Sequence, residues 1–344
     1  MTVLLVVVAL GFAYSMGAHY TGACMGMPRA LGALSAGWAL VVMAPLSFLG
    51  AALASHGVEH TVGHDLLAGG ALSVTGLVVA VSVAFALTST FNVLRLPTST
   101  IQILVFSVVG AGLAAGAAVR WSTVEVLVVI WAAAPLVAAA AGFGLTRVLD
   151  RVPAVSAEAR DVDAALAAPG QGAAARVPGT VGRGGWLGAA LVGVGALASF
   201  TMGGNDVANA TGPLVGAGTL SPLVAGMVGG AGLAAGVLTW GRPLLRRVAF
   251  EIVTVDRPMA TAAQLVQAVV VLAAVSTGYF TSMNQALVDA MAGTAAARGR
   301  HTVRMSALVG ILRGWVIGPG AGILLAYAAT RASAALGAHV LVAG

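Results

Sequence analysis

Asn205, Asp206 and Asn209, in the stretch MGGNDVANATGPL (202–214), place two amides and a carboxylate at the end of a long apolar run. On a helix Asn205 and Asn209 are spaced i, i+4 and share a face, with Asp206 beside them. Amide oxygens and one carboxylate are hard ligands, suited to a small cation such as Na⁺ or to an acid that carries a proton. A carboxylate at a bilayer centre costs roughly 2.5–3.5 kcal/mol to insert, so it is expected to face a cavity or a partner. Gly203 and Gly204, just ahead, read as loosening the helix and opening its backbone to a ligand. The plainer alternative is a polar loop between two spans.

A second polar set occurs twice. LPTSTIQ (96–102) and YFTSMNQ (279–285) share Thr98/Thr281, Ser99/Ser282 and Gln102/Gln285, and add Thr100 and Asn284. Hydroxyls and amides just ahead of an apolar segment suit an oxyanion held at a helix N-terminus, where backbone N–H groups are free. Ordinary helix capping explains Thr98, Ser99, Thr281 and Ser282 equally well. A third set, HGVEHTVGHD, puts His56, His60 and His64 at i, i+4, i+8 with Glu59 and Asp65 alongside. On a helix the imidazoles line up as weak candidate metal ligands; a solvated loop is the competing reading. Asp289 is an acid inside an apolar segment, read first as pairing with Arg313 and second as a substitute carboxylate for the site. Gln264 and Gln267 either line a path or serve polar packing between helices.

These residues need a membrane scaffold. Of 344 residues, 59% are hydrophobic and 8% charged, with mean hydropathy +0.98. Such a chain lacks the charged surface of a soluble domain and reads as an all-α polytopic membrane protein. Its net charge of +6 rests on 17 basic residues, all arginine, an excess that reports orientation rather than nucleic-acid binding. One cysteine, Cys24, excludes an intrachain disulfide. Apolar segments fall at about 2–16, 31–55, 66–89, 101–119, 124–146, 187–202, 214–240, 260–279, 284–297 and 305–330. The ninth looks like a half-span or re-entrant piece.

The halves repeat. Residues 16–35 laid over 202–221 match Met16/Met202, Gly17/Gly203, Gly26/Gly212, Gly32/Gly218, Leu34/Leu220 and Ser35/Ser221. The offset is 186 here (202 less 16) and 183 for the Thr-Ser stretches (281 less 98). Five segments per copy is an odd number, so the second copy enters from the opposite side. The expectation is two inverted repeats with broken or re-entrant segments near the midplane. The division is 1–146 for the first membrane repeat, 147–186 for a linker rich in Ala, Gly, Pro and Arg, 187–331 for the second repeat, and 332–344 for a short tail. If the segments alternate, all arginines but Arg120, Arg331 and Arg313 share one side, which makes the linker cytoplasmic and the termini outside.

GGNDVANATGP resembles the signature of the inorganic phosphate transporter (PiT) family, G-A-N-D-V-A-N-A followed by Gly. PTST resembles that family's P-V-S-T-T-H element. The run MAGTAAARGRHTVRMSALVGILRGWVIGPGAGILLA resembles its closing spans, and together the matches cover about 1–150 and 186–331. The resemblance implies a midplane site, symport of phosphate with protons, sodium or a metal ion, and a homodimer. It assigns Asn205, Asp206 and Asn209 to the coupling ion and Ser99, Thr100 and Ser282 to the oxyanion.

The departures fall in both copies. His19 and Tyr20 stand for the Asn-Asp pair and Ala23 for the second asparagine; Gln102 and Gln285 replace the family's histidine, and Met283 and Asn284 its threonines. His19 is thus a candidate for proton coupling or for facing the anion. The expectation is an ion-coupled symporter of inorganic phosphate in the cell membrane, driven by H⁺ or Na⁺, not an enzyme and without a cofactor. Thr98, Ser99, Thr100, Gln102, Thr281, Ser282, Asn284 and Gln285 are its candidate substrate ligands. A carrier of sulfate or another oxyanion is the alternative, followed by a membrane-embedded metal-dependent protein using His56, His60 and His64, or a homologue that no longer transports.

Overall fold

A computed structural model describes residues 1–68, 72–96, 98–157, 185–246, 256–299 and 305–339. Its first half holds α1 (Thr2–His19), α2 (Thr21–Ala30), α3 (Ala36–Ala54), α4 (His56–His64), α5 (Val74–Leu94), α6 (Thr100–Ala115) and α7 (Trp121–Leu149). The second holds α8 (Trp186–Gly216), α9 (Pro222–Trp240), α10 (Arg257–Ser276), α11 (Met283–Ala297) and α12 (Met305–Ala335). Two-residue strands Leu67–Ala68 and Ala118–Val119 pair antiparallel between α4 and α5 and after α6. Among the described residues seven helical stretches are long and apolar enough to cross a membrane, α1 and α2 counting as one. The protein is an all-α polytopic membrane protein. The linker expected at 147–186 lies largely outside the described residues.

Several expected segments change shape. The stretch around Asp206 is neither a loop nor a loosened helix, because α8 runs unbroken for 31 residues through Gly203, Gly204 and Pro213. At 1.5 Å per residue it is about 46 Å long, more than the ~30 Å of a bilayer core. Its middle, Thr201–Leu214, is buried on every side and forms the central post. The counterpart in the first half breaks once, at Tyr20, between α1 and α2. The run His56–His64 is a helix packed on α8, not a solvated loop. α6 spans 16 residues and α11 only 15, so the fourth segment is as short as the ninth. α12 continues to Ala335, beyond the boundary expected at 331.

The glycines explain why α8 stays helical. Lipid tails are as apolar as leucine, so helices in a bilayer gain by close van der Waals approach, and glycine permits it. A Cβ at Gly203 would overlap the Ser47 carbonyl oxygen, and one at Gly17 the Leu233 carbonyl oxygen. Likewise Gly50 meets the carbonyl of Phe200, and Gly236 that of Tyr14. Each pair is the other shifted by 186 residues (17 to 203, 47 to 233, 14 to 200, 50 to 236), so α3 packs on α8 as α9 packs on α1. α6 on α12 and α11 on α7 repeat the pattern, with Gly110 against Ile323 and Gly293 against Ala139. Arg95, the one non-glycine at positive φ (55°) among the described residues, sits where the second half has Gly278 (77°).

One end of the bundle carries a partly buried ionic tie. Arg298, following α11, reaches Asp150 at the end of α7 (2.6 and 3.3 Å) and Asp256. Asp256 also caps α10 through the Met259 N–H, 2.8 Å away.

Gly50→Ala and Gly236→Ala should each destabilise the fold by about 1–3 kcal/mol, the usual cost of overpacking. Gly144→Ala, whose Cβ meets nothing within 4 Å, should not. Thermal unfolding in detergent reads all three; an equal loss at Gly144 would assign the effect to something other than close approach.

Candidate functional site

α6 and α11 both begin inside the protein. The Ser99 Oγ accepts the Gln102 N–H and the Ser282 Oγ accepts the Gln285 N–H, each at 3.4 Å. Capping therefore occurs in both copies, and each hydroxyl, having accepted, keeps its own proton to donate. Thr98, Ser99, Thr100, Thr281 and Ser282 are all buried. The Thr98 hydroxyl donates to the Gly314 carbonyl (3.1 Å), Thr100 Oγ1 meets the Tyr20 hydroxyl (2.9 Å), and Thr281 Oγ1 has no partner. The Asn284 Nδ2 donates to the Thr98 carbonyl at 3.0 Å, which draws the start of α11 against the start of α6. Trp131 Nε1 donates to the Phe280 carbonyl (3.1 Å) and supports the loop ahead of α11. Gln102 and Gln285 are buried one turn into their helices, the latter with Oε1 unpaired.

The central post supplies the other half of the site. Asn205 Nδ2 donates to the Thr281 carbonyl (2.9 Å) while its Oδ1 accepts the Thr281 N–H (3.2 Å). Both carboxylate oxygens of Asp206 are buried without a hydrogen-bond partner. Asn205 and Tyr20 lie beside that carboxylate but are not aligned to close a bond with it. Asn209 leans its Nδ2 on the Met16 sulfur (3.8 Å) and leaves Oδ1 unpaired. On α10, Gln264 Nε2 donates to the carbonyls of Ala23 (3.2 Å) and Cys24, and Gln267 Nε2 to that of Met283 (3.1 Å), each Oε1 remaining unpaired. These glutamines brace α10 against α2 and α11. Two hydrogen-bonded pairs, Thr100 with Tyr20 and Asn205 with Thr281, thus flank the unpaired Asp206 carboxylate.

His19 sits at the same junction with both ring nitrogens engaged. Nδ1 lies 2.6 Å from Asn92 Oδ1, and Nε2 faces the Thr98 peptide and Asn284. His56, His60 and His64 instead occupy the exposed edge of α4. His60 and His64 stack at 4.9 Å, and His60 pairs with Asp65 at 3.2 Å. Glu59 turns inward to accept the Thr211 hydroxyl (2.7 Å), and among the described residues no three His, Cys, Asp or Glu side chains form a metal-holding group. The expected Asp289–Arg313 pair does not form. α11 packs on α7 and α12 on α6, so the residues belong to separate helix pairs; Arg313 is exposed and Asp289 Oδ2 is unpaired.

Two chemistries meet here. Converging helix N-termini with donating hydroxyls favour an anion. Unpaired carboxylate and amide oxygens around α8 favour a cation or an acid that holds a proton. A model of the phosphate transporter family matches residues 16–326. The chain belongs to that family. Its members are transporters, not enzymes. It is 28% identical over 69% of its length to the sulfate permease CysP of Bacillus subtilis, covering 61% of that protein. It is 33% identical over 37% of its length to the chloroplastic inorganic phosphate transporter 2-1 of Arabidopsis thaliana, covering 24% of it. The chain spans less than two thirds of either relative. A solved structure of a sodium-dependent phosphate transporter superposes with TM-score 0.83 over 97% of this chain and 99% of that one, at 20% identity, which establishes the shared fold.

Within this phosphate transporter fold, Asn92, Ser15 and Trp131 join the site although sequence reading passed over them. Asn92, a polar residue near the end of the apolar α5, was the available signal. An unpaired buried carboxylate is costly. Asp206→Asn should therefore raise the unfolding free energy by about 1–3 kcal/mol in buffer free of sodium and oxyanion. The gain should vanish if sodium is added and binds the carboxylate; a variant less stable than wild type in the bare buffer would overturn this account of the carboxylate.

Proposed function

We propose that the protein is an ion-coupled symporter of a tetrahedral oxyanion, inorganic phosphate first. The observation that carries the reading is the meeting of two buried, serine-capped helix starts beside an unpaired carboxylate on the central post. Ser99, Thr100, Ser282 and the N–H groups of the first turns of α6 and α11 take the anion. Asp206 and Asn209 take the coupling cation or proton, their oxygens being the ones without partners. Driving ion and cargo then sit on either side of the Asn205–Thr281 contact, close enough for each to raise the other's affinity. The reciprocal packing of the halves supports inverted repeats. With them go a cytoplasmic linker, outward termini, a place in the cell membrane and a homodimer.

Sulfate is the second reading, favoured by the longer match to a sulfate permease. The two anions differ in their protons: phosphate near neutral pH carries at least one P–OH donor and sulfate carries none. Acceptors such as Thr281 Oγ1, Asn284 Oδ1 and Gln285 Oε1 suit the protonated anion. A polar site rejects an analogue that leaves its groups unpaired.

Radiolabelled phosphate uptake into proteoliposomes, under imposed sodium or proton gradients and with sulfate as competitor, tests both readings. Phosphate should accumulate under one gradient, with sulfate at least about tenfold weaker as competitor, a gap of 1.4 kcal/mol. Asp206→Asn should abolish gradient-driven accumulation while leaving phosphate binding measurable. No uptake of either anion under either gradient would sink the symporter.

A further inference from the structure

We propose that His19 and Asn284 act as a single positioning unit, together holding the Thr98 peptide as Asn205 alone holds the Thr281 peptide. The repeat offsets make the comparison direct. His19 corresponds to Asn205 (205 less 186) and Thr98 to Thr281 (281 less 183). In the second half one amide serves both sides of a peptide unit. Its Nδ2 donates to the Thr281 carbonyl and its Oδ1 accepts the Thr281 N–H, at 2.9 and 3.2 Å.

An imidazole cannot do both from one nitrogen. The His19 tautomer is fixed by its neighbours. Asn92 Nδ2 donates to the Ser15 carbonyl (2.8 Å) and the Ser15 Oγ (3.0 Å), which turns Asn92 Oδ1 toward the ring. Nδ1, 2.6 Å from that oxygen, is therefore the protonated nitrogen. Nε2 is left as an acceptor and takes the Thr98 N–H at 3.4 Å. The Thr98 carbonyl, 3.1 Å from Nε2, then faces a lone pair and lacks the donor that Asn205 gives Thr281.

Asn284 supplies it. Its Nδ2 lies 3.0 Å from the Thr98 carbonyl and 3.3 Å from His19 Nε2, and since those two atoms are 3.1 Å apart a single hydrogen is shared between them, chiefly with the carbonyl. The histidine contributes the acceptor and the asparagine the donor. All of these groups are buried, so neither half of the bracket has water as a substitute. The contact has no mate in the other half, where Asn284 corresponds to Ile101 (284 less 183). The consequence is mechanical. The start of α11 is bonded to the loop that starts α6, and the gap between the two helix starts is set across the halves. On the symporter reading above, that gap is the anion site, and the pair tunes its width without touching the reaction path of the ion.

The bracket is measurable without transport. Hydrogen exchange of the full-length protein in detergent should be read on peptides covering 98–102 and 281–285. His19→Ala and Asn284→Ala should each speed exchange at 98–102 by at least about tenfold and leave the Asn205-held segment near the wild-type rate. His19→Gln reaches as far as Nε2 and carries both a donor and an acceptor, so it should restore protection. In that background Asn284→Ala should have little effect. The proposal is overturned if His19→Gln exchanges as fast as His19→Ala, or if Asn284→Ala does equal damage in both backgrounds. Where wild type transports, His19→Ala should raise the KM for the anion more than it lowers the maximal rate, and His19→Gln should restore KM. If wild type shows no uptake, the symporter reading fails while the exchange data still decide the bracket.

Discussion

The peptide groups of Thr98 and Thr281 set the terms for the rest of the structure. Each lies where the backbone leaves helical geometry inside the protein, and backbone polar groups away from water must find partners within the chain. A helix that starts in the interior also leaves its first N–H groups unsatisfied. Ser99 and Ser282 answer part of that demand, and Trp131 answers another at Phe280. The remaining partners come from the middle of α8 and the end of α1. Those two segments must therefore reach the protein centre. The glycine-to-carbonyl approaches of α3 on α8 and α9 on α1 hold them there.

The same breaks create the chemistry. Where the ladder is interrupted, N–H groups and hydroxyls are exposed to a ligand instead of to the next turn. Around them the helices present acceptors: the Asp206 carboxylate, the Asn209 oxygen and the outer oxygens of Gln264 and Gln267. A donor-rich pair of helix starts against an acceptor-rich post separates charge over a short distance. Asn205 joins the two sides, since its amide is bonded to one and its neighbour Asp206 belongs to the other. Any shift of α8 that moves Asp206 also pulls on the Thr281 peptide.

Much of this was legible in the sequence. Ten apolar segments, the duplication and the paired Thr-Ser stretches could be read there, because hydropathy and local spacing record them. The state of α8 could not. Gly203 and Gly204 look like helix loosening until their partners, Ser47 and Ala54, are known. Helix packing in a bilayer uses glycine for approach more than for flexibility. The histidine run read as loop because its polar face is local, whereas its buried face, Val58, Glu59 and Val62, is matched to α8 far along the chain. The role of His19 was hidden for the same reason: Asn92, Thr98 and Asn284 lie 73, 79 and 265 positions away.

The halves share a packing pattern but differ in the break at Tyr20, which α8 lacks, and in their side chains. A strict duplicate in inverted orientation would make the two access states equal in energy, since exchanging the conformations of the halves would return the same molecule. On the symporter reading, the residues that differ set the bias between them. Asp256 caps α10 and joins the partly buried tie to Arg298 and Asp150; its counterpart Ser73 caps α5 with a hydroxyl and bonds only the His339 carbonyl and its own helix. At the centre Tyr20 stands where the second half has Asp206, and brings a neutral hydroxyl to Thr100 in place of a charge. One end thus carries a partly buried ion cluster around Arg298, and the other the more exposed Asp65–Arg120 pair at 3.6 Å with single hydrogen bonds. On that reading, a ligand at the centre shifts the bias only by its difference in affinity between the two states.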